Sequence, residues 1–66
     1  MTDAELKKGV IAKIQKARKD GMTIGRLEAA CPPGITLHVI YDMLNAGLLP
    51  IEIWQEMDDV MSGLGY

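Results

Sequence analysis

The sequence predicts a small all-α domain, a cluster of four to five helices. Three observations carry that class. Apolar residues recur at helical spacing over most of the chain, with no alternating run long enough for a strand. Helix-starting threonines and helix-stopping glycines and prolines punctuate those stretches at regular intervals. At 66 residues, of which 48% are apolar, the chain suffices for one modest core and no second domain, so residues 1–66 are read as a single unit.

Thr2-Asp3-Ala4-Glu5 has the form of a capping box, with Thr2 as cap and Glu5 at the third helical position. Leu6, Val10, Ile14 and Ala17 follow on one face, widened by Ile11, and Lys8, Lys13, Lys16 and Lys19 fall mostly opposite. The first helix is therefore expected from about Asp3 to Asp20, with Gly21 as its stop. Thr23 caps a second helix over about Ile24 to Ala30 or Cys31, whose Leu27, Ala29 and Ala30 would let neighbours approach closely. Pro32-Pro33-Gly34 ends it, because proline lacks the amide donor and turns the preceding residue away from helix.

Thr36 caps a third helix over about Leu37 to Asn45, with Ile35 and Ile40 placed as a hydrophobic staple and Gly47 as the stop. This helix offers Ile40, Met43 and Leu44 to the core. Pro50 suits the first turn of a fourth, about Pro50 to Ser62, burying Ile53, Trp54, Met57, Val60 and Met61. Gly63 and Gly65 end it, and Leu64 is expected to fold back onto the core. Thr23 to Gly47 is thus two short helices across a tight, glycine-containing turn, the helix-turn-helix pattern, in which the second helix can enter a DNA major groove.

Ala30, Gly34, Ile35 and Ile40 match a further spacing: a small residue, a glycine four on, an apolar residue directly after it, and another five beyond. With the segment ITLHVIYDMLNAGLLPIEIWQEMDDVMSGLG, this pattern resembles the lambda-repressor-like (Cro and Xre type) helix-turn-helix domains of phage and bacterial regulators. The resemblance spans about Thr23 to Gly65. It implies a cytoplasmic DNA-binding transcription regulator that acts on duplex DNA, often as a homodimer. By that resemblance Thr36, Leu37, His38 and Tyr41 would face base edges, and Arg26 would hold phosphate, helped by Lys16, Arg18 and Lys19.

Two departures stand beside the match. Pro32 and Pro33 fall where the last turn of the second helix would be, so the inter-helix turn must be longer or tilted. The would-be reading positions hold no Arg, Lys, Asn or Gln before Asn45, the types best suited to bidentate base contacts. Asp42 would repel phosphate.

Charge is unevenly spread. Residues 1–26 hold all seven basic side chains, whereas residues 27–66 hold only acids, among them Glu56, Asp58 and Asp59. DNA affinity rests largely on cations against phosphate, so any such contact must come from the first helix and Arg26. An alternative reading follows from the same residues. Leu37, Val39, Tyr41, Leu48 and Leu49 are too many apolar groups for one inward face, and an exposed apolar patch marks a protein interface. On that reading the same fold is a protein-interaction module with an acidic, partly apolar surface, and it binds no DNA.

Other classes find no support. The single Cys31, next to Pro32, reads as a small hydrophobe, and neither it nor the lone His38 has an orienting partner in sequence, so no enzyme, cofactor, metal site or small-molecule substrate is expected. No apolar run approaches the ~20 residues of a membrane span, and MTDAELKKG lacks the basic-then-apolar order of a signal peptide.

Overall fold

The computed structural model describes residues 2–66 and contains four helices: α1 (Asp3–Lys19), α2 (Ile24–Ala29), α3 (Leu37–Leu44) and α4 (Ile51–Gly63). No strand occurs among the described residues. Eleven hydrophobic residues, ten from the four helices and Ile35 from the turn before α3, form one core: Val10, Ile14 and Ala17; Ile24 and Leu27; Ile35; Ile40 and Met43; Trp54, Met57 and Met61. Of the stripes the periodicity predicts, Val10, Ile14 and Ala17 on α1 and Ile40 and Met43 on α3 are buried, while Leu6 and Ile11 pack half-buried at the edge. On α4 the stripe is narrower than expected: Ile53 and Val60 are half-buried, as is Leu44 on α3. Ile53 sits one residue before Trp54, about 100° round the helix, and so reaches only the flank of the core.

Three threonines begin three helices. The Thr2 hydroxyl accepts from the Glu5 amide at 3.2 Å and donates to the Glu5 carboxylate at 3.3 Å. Thr23 accepts from the Arg26 amide at 3.2 Å, and Thr36 from the Val39 amide at 3.4 Å. Each bond satisfies one of the orphan amides of a first turn. Pro50 is the exception to the expected pattern. It stands in the cap position with extended backbone (φ −54°, ψ 142°) and α4 starts one residue later, at Ile51.

Three helices end in the same way. After α1, the Met22 amide reaches back to Ala17 O and the Gly21 amide to Arg18 O, with Gly21 at φ 99°. After α4, the Tyr66 amide reaches Met61 O and the Gly65 amide Ser62 O, with Gly65 at φ 94°. These are Schellman motifs. The third, after α3, bonds the Gly47 amide to Asp42 O at 2.7 Å and the Ala46 amide to Met43 O, but the left-handed residue is Ala46, at φ 55°. Gly47 is therefore not the conformational stop expected of it. It follows that stop, and a Cβ on it would lie 3.0 Å from Asp42 O.

The passage from α2 to α3 departs from a tight turn. Helix α2 closes at Ala29, earlier than Ala30 or Cys31, and the Ala30 and Cys31 amides tighten its last turn onto Leu27 O and Glu28 O. A turn over Pro32–Ile35 follows, closed by the Ile35 amide on Pro32 O at 3.0 Å. Gly34 keeps a negative φ there, so its freedom is not used. Ala29 and Ala30 are exposed, and no neighbour packs on them as the sequence suggested. Ile35 and Ile40 flank Thr36 and are both buried, as a staple requires.

Helices α1 and α4 are tied together by side chains. Lys13 Nζ lies 2.6 Å from Asp58 Oδ1 and 3.4 Å from Ser62 Oγ, and Lys7 Nζ stands 5.9 Å from the centroid of the Trp54 ring. The basic and acidic halves of the sequence thus meet at this seam. Tyr66, and not the 40%-exposed Leu64, folds back against the core, and its hydroxyl donates to Asp20 Oδ2 at 3.2 Å.

Candidate nucleic-acid interface

One open groove runs along the surface between the end of α1 and the outer edge of α3. It is lined by Arg18, Gly21, Met22, Thr23, Ile24, Gly25, Leu37 and Tyr41. The Schellman turn at Gly21 lets this happen, because it reverses the chain within a few residues and sets the start of α2 beside the last turn of α1. Arg18 is exposed in that last turn and lines the groove together with Thr23, Ile24, Gly25 and two α3 residues, Leu37 and Tyr41.

Helix geometry sorts the remaining cations. Lys16 precedes Arg18 by two residues, about 160° away round the helix, and therefore faces away from the groove. Lys19 is about 100° from Arg18, on the flank. Both are exposed. Arg26 is exposed on α2, one residue and about 100° on from the groove-lining Gly25. Of the four cations expected at the interface, the structure brings Arg18 into the groove, leaves Arg26 and Lys19 beside it, and turns Lys16 away.

Along α3, His38 is exposed and Tyr41 is 45% exposed, whereas Leu37 is half-buried and presents only its outer edge. Thr36 is exposed but its oxygen is engaged as the cap. Asp42 is exposed next to Tyr41, and the Asn45 side-chain amide donates to Tyr41 O at 3.0 Å. The residues expected to make an apolar patch do not share a face. Val39 lies about 160° round α3 from Tyr41, and Leu37, Val39 and Leu49 are half-buried against the core. Leu48, by contrast, is fully exposed.

Glu28 belongs to this region, although the sequence singles it out for nothing beyond its charge. Its half-buried carboxylate accepts a hydrogen bond from the Leu37 amide, the first of α3. The two residues are nine apart, across the proline turn, and no local pattern announces the bond. Cys31 sits close by. Its thiol donates to Leu27 O at 3.1 Å and lies 3.8 Å from Met57 Sδ. Partial burial first, and then the Glu28 charge, push that thiol above its ordinary pKa. A raised thiol carries little thiolate at neutral pH, which makes Cys31 a packing residue and a poor nucleophile.

Comparison of the chain with family models, with curated proteins and with solved structures found no match.

Proposed function

We propose that this protein is a small helix-turn-helix regulator that binds duplex DNA, with α3 toward the major groove and with Arg18 and Arg26 on the phosphate backbone. One observation carries the reading: Arg18, supplied by α1, shares a groove with the start of α2 and the outer edge of α3. A cation beside an exposed helix edge is the minimum arrangement for holding a duplex while its bases are touched. Within it, Tyr41 and the edge of Leu37 offer apolar contact to thymine methyl groups, and His38 offers a donor or acceptor. Sequence discrimination by such contacts is modest. The pattern of Ala30, Gly34, Ile35 and Ile40 supports the same reading by its resemblance to lambda-repressor-like domains.

The test is fluorescence anisotropy with a mixed-sequence duplex over a range of salt. Each of Arg18→Ala and Arg26→Ala should weaken binding across all sequences and reduce the salt slope by about 1. Lys16→Ala should leave the slope nearly unchanged. No binding at low salt, or a slope indifferent to both arginines, ends the proposal.

A second reading, the same fold used to bind protein, is favoured by the fully exposed Leu48 and the exposed pair Tyr41 and Asp42. Sedimentation of the free protein discriminates. Self-association abolished by Leu48→Asp, in a chain without duplex affinity, would select it.

A further inference from the structure

We propose that Glu28 is the positioning residue of the interface: its carboxylate sets the outer edge of α3 relative to α2 and Arg18, and closes the start of α3 to phosphate. The affinity part of this proposal rests on the DNA reading above; the positioning part does not.

Helix α2 has six residues, too few to hold its own direction without tertiary contacts. Ile24 and Leu27 bury one side of it. Glu28, one residue on from Leu27, projects from the neighbouring side and takes the first amide of α3. The bond spans the turn at Pro32–Ile35, so it adds to the burial of Ile40 and Met43 in fixing the rotation of α3 about its axis. That rotation decides whether Leu37 and Tyr41 line the groove with Arg18 or turn from it.

The same bond changes the electrostatics. An α-helix start attracts anions through its free amides and its dipole. Of the first-turn amides of α3, that of Leu37 is held by Glu28 and that of Val39 by the Thr36 hydroxyl. A carboxylate already stands where a phosphate would approach. The duplex backbone is therefore directed to the cations at the groove, Arg18 and Arg26, and away from the tip of α3.

Two variants separate reach from charge. Glu28→Asp keeps the charge but is one methylene too short to reach the Leu37 amide. Glu28→Gln keeps the length and an acceptor oxygen but loses the charge. Amide NMR with hydrogen exchange is measured on both, together with duplex affinity at low and higher salt. In Glu28→Asp, Leu37 amide exchange should rise about fivefold, the ratio equivalent to loss of a typical ~1 kcal/mol cap. Amide shifts should spread to His38 and Tyr41, and duplex affinity should fall several-fold. Glu28→Gln should retain Leu37 protection and the α3 shifts, and bind duplex as well as the parent or better. Asp behaving as the parent while Gln departs would show that Glu28 acts as a charge alone, and overturns the proposal. If the parent binds no duplex, the DNA reading falls separately, and the exchange and shift comparison still decides the positioning role.

Discussion

The pair α1 and α4 and the pair α2 and α3 are held by different chemistry. The first pair, 17 and 13 residues long, is joined by side chain to side chain: Lys13 to Asp58 and Lys7 to the Trp54 ring, with Tyr66 tying the end of the chain to Asp20. The second pair, six and eight residues long, is joined by a side chain on a backbone amide, Glu28 on Leu37, while Thr23 and Thr36 each cap the start of their own helix. The long helices bury three core residues each and add side-chain contacts along their seam. The short ones add to their burial polar side chains that satisfy orphan amides. The first pair therefore determines whether the protein folds. The second determines what it presents.

That contrast breaks most decisively at Trp54, which is fully buried with its indole nitrogen lacking a partner. Trp54→Ala should cost about 3–5 kcal/mol. A 66-residue domain has about 5 kcal/mol or less in total, so the variant should be largely unfolded by far-ultraviolet circular dichroism. Trp54→Phe also loses volume, but it removes the unpaired N–H, whose burial costs about 1–3 kcal/mol. It should melt close to the parent. Equal loss in both variants would mean that the indole edge is satisfied and the ring size alone matters.

The next effect is smaller and has opposite signs at adjacent residues. Ala46 holds a left-handed conformation that costs a residue with a Cβ roughly 1 kcal/mol. Ala46→Gly relieves that strain but loosens the unfolded chain, for a net gain of about 0.5 kcal/mol. Gly47→Ala places a methyl 3.0 Å from Asp42 O and 3.2 Å from Asp42 Cβ, both on the last turns of α3. The backbone there must shift, at a cost of about 1–3 kcal/mol. Thermal melts of the two variants should move in opposite directions. A rise with Gly47→Ala would show that the turn after α3 is more pliant than the Asp42 bond indicates.

Much of the first pair was legible in the sequence, and less of the second. Val10, Ile14 and Ala17 declare their face by spacing, and Thr2, Thr23 and Thr36 declare their helices by a bond three residues long. Gly21 and Gly65 do the same at the ends. Ala46 does not, because alanine carries no sign of a left-handed backbone and the adjacent Gly47 draws the eye. Pro50 is equally at home as a cap or as a first helical residue. Leu64 and Tyr66 compete for one place on the core, and only the direction set by Gly65 assigns it to Tyr66. Within the candidate site, Arg18 entered the groove through the reversal at Gly21, whereas Lys16, two residues away, did not. Glu28 was invisible because its partner is an amide beyond a proline turn, and backbone groups leave no trace in a residue pattern.

The smallest effect concerns the polar contact that closes the chain. Partial desolvation first, then the hydrogen bond to Asp20 and the charge of Asp20, raise the Tyr66 phenol above its ordinary pKa. A group whose pKa is raised on folding stabilises the fold while it is protonated. The contribution is therefore complete below the unfolded value of about 10 and is lost as pH rises through the folded value. Beyond that point a tyrosinate faces the Asp20 carboxylate. Tyr66→Phe removes the hydroxyl while keeping the ring against the core. Melting temperatures of parent and Tyr66→Phe should differ in favour of the parent at neutral pH, and the difference should begin to shrink above about pH 10 and vanish only beyond the raised folded value. Curves that stay parallel through the alkaline range would show that the hydroxyl contributes nothing, and that Tyr66 holds the end of α4 by its ring alone.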